Sequence, residues 1–268
     1  MIHIGEKYNT LLPMNPFAPS GCGFFSDCSF RLHYIMDYYT TYGKVPDFVN
    51  GSKQFLLYKI HEDEDNTKDF FADTDLRINH EGPIDFYAAY QFKEYNLLTY
   101  SHTTPFINKY FSPSQSILCK KKELLEKYAI DPTNTIGVYY RGTDKKIEVE
   151  KVSYSDYIEK LKEIYTEKET ILIQSDEQQF LEFAKEIFPN CICFSEIKVS
   201  ATDKGIHYEN TKEENYHDIQ YFFAAMLILS QCKHIITGIG NCSMWICLYR
   251  GNAHNLHQNF YGKFITLV

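Results

Sequence analysis

Apolar positions recur along this chain in two periods, and the alternation between the periods marks its elements. The back half is the clearer. Ile136, Val138 and Tyr140 alternate with smaller or polar residues and read as a strand over 136–140. Ile158, Leu161, Ile164 and Tyr165 then share one face of a helix from about Ser155 to Tyr165. Thr170 to Gln174 reads as a buried strand. Ser175, with Gln178 three residues on, has the pattern of a capping box. Phe180, Leu181, Ala184, Ile187 and Phe188 give the following helix its apolar face, and Pro189 ends it. Cys191 to Phe194 reads as another short strand. A helix follows from about Asp218 to Gln231, then a strand over His234 to Thr237. The turn Gly238 to Asn241 opens a helix over Cys242 to Arg250, and Phe264 to Val268 reads as a last strand. This rhythm predicts an α/β fold whose C-terminal half is a doubly wound, mostly parallel sheet.

The front half is less regular. A glycine loop, Gly21-Cys22-Gly23, precedes a helix over Cys28 to Tyr42, with Leu32, Ile35, Met36 and Tyr39 on one face and Gly43 as its stop. Gln54 to Ile60 reads as a short strand, His61 to Asp75 as an acidic stretch, and Lys120 to Tyr128 as a charged amphipathic helix. The joint at Asp131-Pro132 divides the chain into domains of residues 1–131 and 132–268.

Composition narrows the function. Of 268 residues, 44% are hydrophobic and 23% charged, enough apolar content for a real core. The net charge of −8 excludes a protein that wraps nucleic acid on a basic face. None of the eight cysteines is spaced as CxxC, so no zinc cage assembles from them, and a reducing compartment is the simpler inference. The N-terminus lacks a signal peptide, and the longest apolar run, Phe222 to Leu229, falls well short of the roughly 20 residues that span a bilayer. A soluble cytoplasmic protein is expected.

Three strand ends carry candidate chemistry: Arg141 to Lys145, Ser175 to Glu177, and Gly238 to Ser243. In an open α/β sheet, ligands collect at the carboxyl ends of strands. An arginine fork suits a diphosphate, and a glycine-rich turn opening a helix presents N–H groups and a favourable dipole to it. Asp73-Thr74-Asp75 offers a rival, because a DxD triplet can hold a divalent metal on a nucleotide diphosphate.

The segments TIGVYYRGTDK, ILIQSDEQQFLEFAKEIFP and LSQCKHIITGIGNCSMW resemble the catalytic half of GDP-fucose-dependent fucosyltransferases. The likeness is to the core α1,6 enzymes and their rhizobial chitooligosaccharide relatives, and spans about residues 120 to 250. It implies a GT-B-type enzyme with two Rossmann-type domains, the first on the acceptor side and the second binding the nucleotide sugar. The implied reaction is inverting, metal-free transfer of fucose from GDP-fucose to a glycan hydroxyl in glycan biosynthesis, with no cofactor besides that donor. By position, Arg141 would hold the β-phosphate with Asp144 and Lys145 beside it. Asp176 would face the nucleotide, and Gly240, Asn241, Cys242 and Ser243 the diphosphate. Glu148 and Glu150 are the nearest carboxylates for the base that deprotonates the acceptor. The chain departs from the family at Tyr139, where histidine is usual, at Gly142, where the core enzymes carry a second arginine, and at Asn241-Cys242 in place of Ser-Ser. Those departures leave open a nucleotide-sugar or glycan binder without catalysis.

Overall fold

The computed structural model describes residues 22–46, 48–61, 63–80, 84–143, 152–202 and 204–267. Five strands form one sheet: β1 (Thr135–Tyr140), β2 (Thr170–Ser175), β3 (His234–Thr237), β4 (Leu256–Phe260) and β5 (Lys263–Leu267), in the order β2-β1-β3-β4-β5. All neighbours pair in parallel except β4 and β5, which form an antiparallel edge. The longer helices are α1 (Phe24–Tyr42), α2 (Tyr100–Tyr110), α3 (Gln115–Lys127), α4 (Tyr154–Ile164), α5 (Gln178–Ile187), α6 (Lys212–Leu229) and α7 (Asn241–Arg250).

Strand alternation sorts the core into two sides. Ile136, Val138 and Tyr140 pack with Tyr157, Ile158 and Leu161 of α4 and Phe180 and Ala184 of α5. Tyr139 points the other way, into a larger core shared with α1, α6 and α7. That core draws on both halves of the chain, from Phe24 to Leu267, and is rich in rings: Phe24 alone lies within 6.0 Å of Phe25, Phe55, Tyr58, Phe70, Phe71 and Phe223.

The parallel sheet is as the sequence pattern predicts, and several details differ. Helix α1 starts at Phe24 rather than Cys28. The buried Phe24 and Phe25 anchor its first turn, and the Phe24 backbone N–H donates to the Tyr58 hydroxyl at 3.1 Å. Residues 54–60 make a 3-10 turn (Leu56–Tyr58), not a strand, and no strand among the described residues precedes Thr135. The front half therefore contributes helices and turns, where a second Rossmann-type sheet is implied by the family likeness. Ser175 is the last residue of β2, and its Oγ accepts the Glu177 N–H at 3.0 Å; Glu177 is the N-cap of α5, so no capping box forms there. The capping box sits instead at Thr211 and Glu214, which start α6 six residues before Asp218. Cys191 to Phe194 makes one bridge, Ile192 to Leu172, rather than a strand. Strand β4 is additional; its buried His257, Gln258 and Asn259 hide it from a hydrophobic pattern.

Candidate active site

Register brings the three chemical segments level. Tyr140 pairs with Ser175 and Tyr139 with Thr237, so Arg141, Asp176 and Gly238 leave the sheet side by side. Above them lies a cavity of about 330 Å³. Its walls are the first turn of α1 (Gly23 to Ser26), Arg141, Gln174 to Asp176, Ile197 and Lys198, Gly205 to Tyr208 with Asn210, the inner face of α6, and Asn241 and Cys242 at the start of α7.

Asp176 organises the β1 turn. One carboxylate oxygen accepts the Gly142 N–H at 2.9 Å; the other accepts the Thr143 hydroxyl at 2.6 Å and lies 3.8 Å from Arg141 Nε. The acid therefore fixes the arginine's base while the outer guanidinium reaches across, Nη1 lying 3.8 Å from the Cys242 sulfur. Burial pushes the Cys242 thiol up from its ordinary range, against the pull of Arg141 and of a hydrogen bond with Tyr139, so the thiol is neutral. Burial also raises the Tyr139 hydroxyl, leaving a neutral phenol where the family has histidine. Gly142 is a steric requirement: a Cβ there would lie 1.9 Å from Glu177 Oε2 and 2.7 Å from a Tyr140 ring carbon. A second arginine at this position has no room.

The start of α7 is held rigidly. Gly240, at φ 142°, occupies backbone space that side chains rarely enter, and its N–H is taken by the Gln91 carbonyl and the Tyr95 hydroxyl at 3.1 and 2.9 Å. Its amide is thus directed into the protein and not toward a ligand. The Ser243 hydroxyl is likewise bound to Thr237 Oγ1 at 2.6 Å, and its side chain is buried. Asn241 and Cys242 do line the cavity. Asn241 Oδ1 is met by the Ser29 hydroxyl at 2.7 Å, and Ser29 in turn accepts the Trp245 indole N–H at 2.9 Å. Of the residues singled out in the sequence, the cavity gathers Cys22 and Gly23 of the glycine loop, Tyr139, Arg141, Ser175, Asp176, Asn241 and Cys242. Asp144, Lys145, Glu148 and Glu150 lie outside the described residues.

Helix α6 supplies a wall that the strand-end motifs do not indicate. Asn215, Asp218, Ile219 and Phe222 line the cavity at i, i+3, i+4 and i+7, one continuous face. Polar residues on an otherwise core-facing stripe are the signal that marks such a wall. Asp218 accepts from Asn210 Nδ2 at 2.9 Å, and burial raises its carboxyl above the usual range, against the pull of Lys198. It lies inside α6, whose cap is Thr211, and not at the helix start that the sequence pattern places there. Asp73 and Asp75 are exposed and contribute nothing to the cavity lining, so the DxD triplet stands apart from this site.

No protein-family model matches the sequence, and no curated protein matches it. Solved structures do match. NodZ alpha-1,6-fucosyltransferase co-crystallised with GDP aligns over 91% of this chain and 94% of its own, at TM-score 0.58 and 13% identity. The chain has a fucosyltransferase-like fold. A GDP-fucose-soaked NodZ structure aligns over 63% of this chain and 53% of its own (TM-score 0.45, 14% identity). An Arabidopsis thaliana FUT1 mutant in complex with GDP aligns over 59% and 34% (TM-score 0.36, 16% identity). In the fucosyltransferase-like fold the α/β class expected from the element rhythm, and the GT-B-like class that the resemblance implies, are met. No helix among the described residues is long and apolar enough to cross a membrane.

Proposed function

We propose that this chain is an inverting glycosyltransferase that moves fucose from GDP-fucose to a glycan hydroxyl without a metal. The observation that carries the reading is the convergence of Arg141, its Asp176 brace and the start of α7 on one cavity at the carboxyl ends of β1, β2 and β3. The fold shared with NodZ agrees with it.

In this reading the acceptor oxygen attacks the anomeric carbon as the bond to the diphosphate breaks, and the bonding pair leaves with the phosphate oxygen. Arg141 meets the charge that grows there, preorganised by Asp176 so that no rearrangement is needed at the moment of reaction. The first-turn N–H groups of α7 at Asn241 and Cys242 add their dipole. The acceptor proton passes to a carboxylate in the stretch after Arg141, Glu148 in preference to Glu150 because it is nearer the turn. Residues 132–268 form the donor side, and residues up to 131 the acceptor side.

A melting-temperature screen tests the donor, because a ligand that binds only the native state raises the transition. GDP and GDP-fucose stabilise the protein in EDTA, and UDP-sugars do not. Stabilisation by UDP-sugars alone, or a strict need for manganese, removes this reading. Retention of GDP binding with neither transfer nor donor hydrolysis supports a non-catalytic binder, the reading that Tyr139 and Asn241-Cys242 leave open.

A further inference from the structure

Outside the cavity, four aromatic rings run in unbroken contact from α1 onto the segment that follows residue 84. The Tyr34 and His33 centroids lie 5.3 Å apart, those of His33 and Tyr87 5.2 Å, and those of Tyr87 and Tyr90 5.5 Å. Tyr87 is 55% exposed, yet this row is ordered from beneath. His33 Nδ1 bonds with the Phe86 carbonyl at 2.8 Å, the Tyr90 hydroxyl donates to Asp85, and Lys93 Nζ lies 3.4 Å over the Tyr90 ring. The ring planes turn by 36° to 65° from one to the next, and the exposed Tyr87 ring is held among them with little conformational freedom left to lose on binding.

Residues beside the row in the chain reach the cavity. Phe30, one helical turn before His33 and Tyr34, lines it, and so does Gln91, the neighbour of Tyr90. We infer that the row is the acceptor subsite of the transfer reaction, where pyranose rings of a neutral oligosaccharide lay their C–H faces on Tyr87 and His33. This inference rests on the glycosyl-transfer reading. Three observations select the occupant. The exposed Tyr87 ring, with the Asp85 carboxylate and the Lys93 ammonium on its neighbour Tyr90, offers both stacking and hydrogen-bond partners, which is what a sugar ring presents on its face and its rim. The net charge of −8 disfavours a polyanionic chain. Phe30 and Gln91, beside the row in the chain, line the cavity, so an oligosaccharide held on the row lies next to it.

The test is ligand-observed saturation-transfer NMR with GDP present, using di- and tetrasaccharides of β-linked glucose and of β-linked N-acetylglucosamine as probes. A tetrasaccharide is expected to bind more tightly than its disaccharide, and Tyr87→Ala to weaken the tetrasaccharide about tenfold. Tyr87→Phe restores binding, and GDP affinity is the same in all three proteins. Equal tetrasaccharide binding by Tyr87→Ala and wild type overturns the inference, as does the absence of a signal from every probe in protein that binds GDP. Loss of GDP binding in the wild type overturns the transfer reading itself, and this subsite with it.

Discussion

At the scale of single residues, the site turns on how little space and freedom the β1 turn is allowed. Arg141 lies against Asp176 at Nε, and its Nη1 reaches the Cys242 sulfur at the cavity wall. Arg141→Ala is therefore expected to lower kcat about a hundred- to a thousandfold with the melting temperature almost unchanged, measured by donor turnover and calorimetry. An arginine that only decorates an exposed turn would leave kcat where it is. Gly142 makes the complementary prediction. A methyl group there would meet the Glu177 carboxylate and the Tyr140 ring, so Gly142→Ala is expected to cost about 1–3 kcal/mol in urea unfolding. Combining it with Glu177→Ala should recover part of that loss, because the two residues share one clash.

Between elements, the decisive contact joins α1 to α7. Ser29 takes the Trp245 indole N–H, and its one proton faces both Asn241 Oδ1 and the Phe25 carbonyl, so one hydroxyl ties the buried helix core to the cavity wall. Ser29→Ala leaves a buried donor without its acceptor and is expected to cost about 1–3 kcal/mol by urea unfolding, while weakening GDP binding through Asn241. Elements of this kind were unequally legible in the sequence. Strands β1, β2 and β3 are legible as short apolar runs, with alternation only in β1, because both faces of each are buried. Strand β4 does not, because Gln258 is buried for its amide: Oε1 accepts the Tyr95 N–H at 2.9 Å, and Nε2 donates to the Lys93 carbonyl at 3.0 Å. The start of α1 was obscured in the same way, since Phe24 and Phe25 replace a polar cap by packing. At the site, Arg141 and Asp176 were visible as strand-end residues. Gly240 and Ser243 were placed there by motif, but tertiary hydrogen bonds turn the Gly240 amide and the Ser243 hydroxyl inward. Asp218 could be suspected from the sequence as a residue reaching a cleft, whereas Asn215 is recognisable only once the helix face they share is known.

For the molecule as a whole, two buried groups set opposing dependences on pH. The His257 imidazole, removed from water and facing His234, Lys160, Glu163 and Thr266, is pushed down to about 4. The unfolded chain takes up that proton near 6.5, so the contribution is complete above that value and is lost as pH falls toward 4; it amounts to about 3 kcal/mol. Asp27, desolvated beneath the Phe55 N–H, is pushed up to about 7, so its ionisation costs stability as pH rises from about 4 to about 7. Chemical denaturation between pH 4 and 7 is expected to show a shallow profile in the wild type. In His257→Gln the profile should fall with rising pH, and in Asp27→Asn it should rise.

Trp245 gives this protein an optical property that follows from its position. It is the single tryptophan of the chain, fully buried, and one hydroxyl away from a cavity-lining side chain. Its emission is therefore a blue-shifted signal from one known place, free of contributions from other indoles. A ligand that draws Asn241 toward itself changes the hydrogen bond on the indole, and so changes colour or intensity without any label. Stopped-flow mixing can then follow occupancy of the cavity in real time.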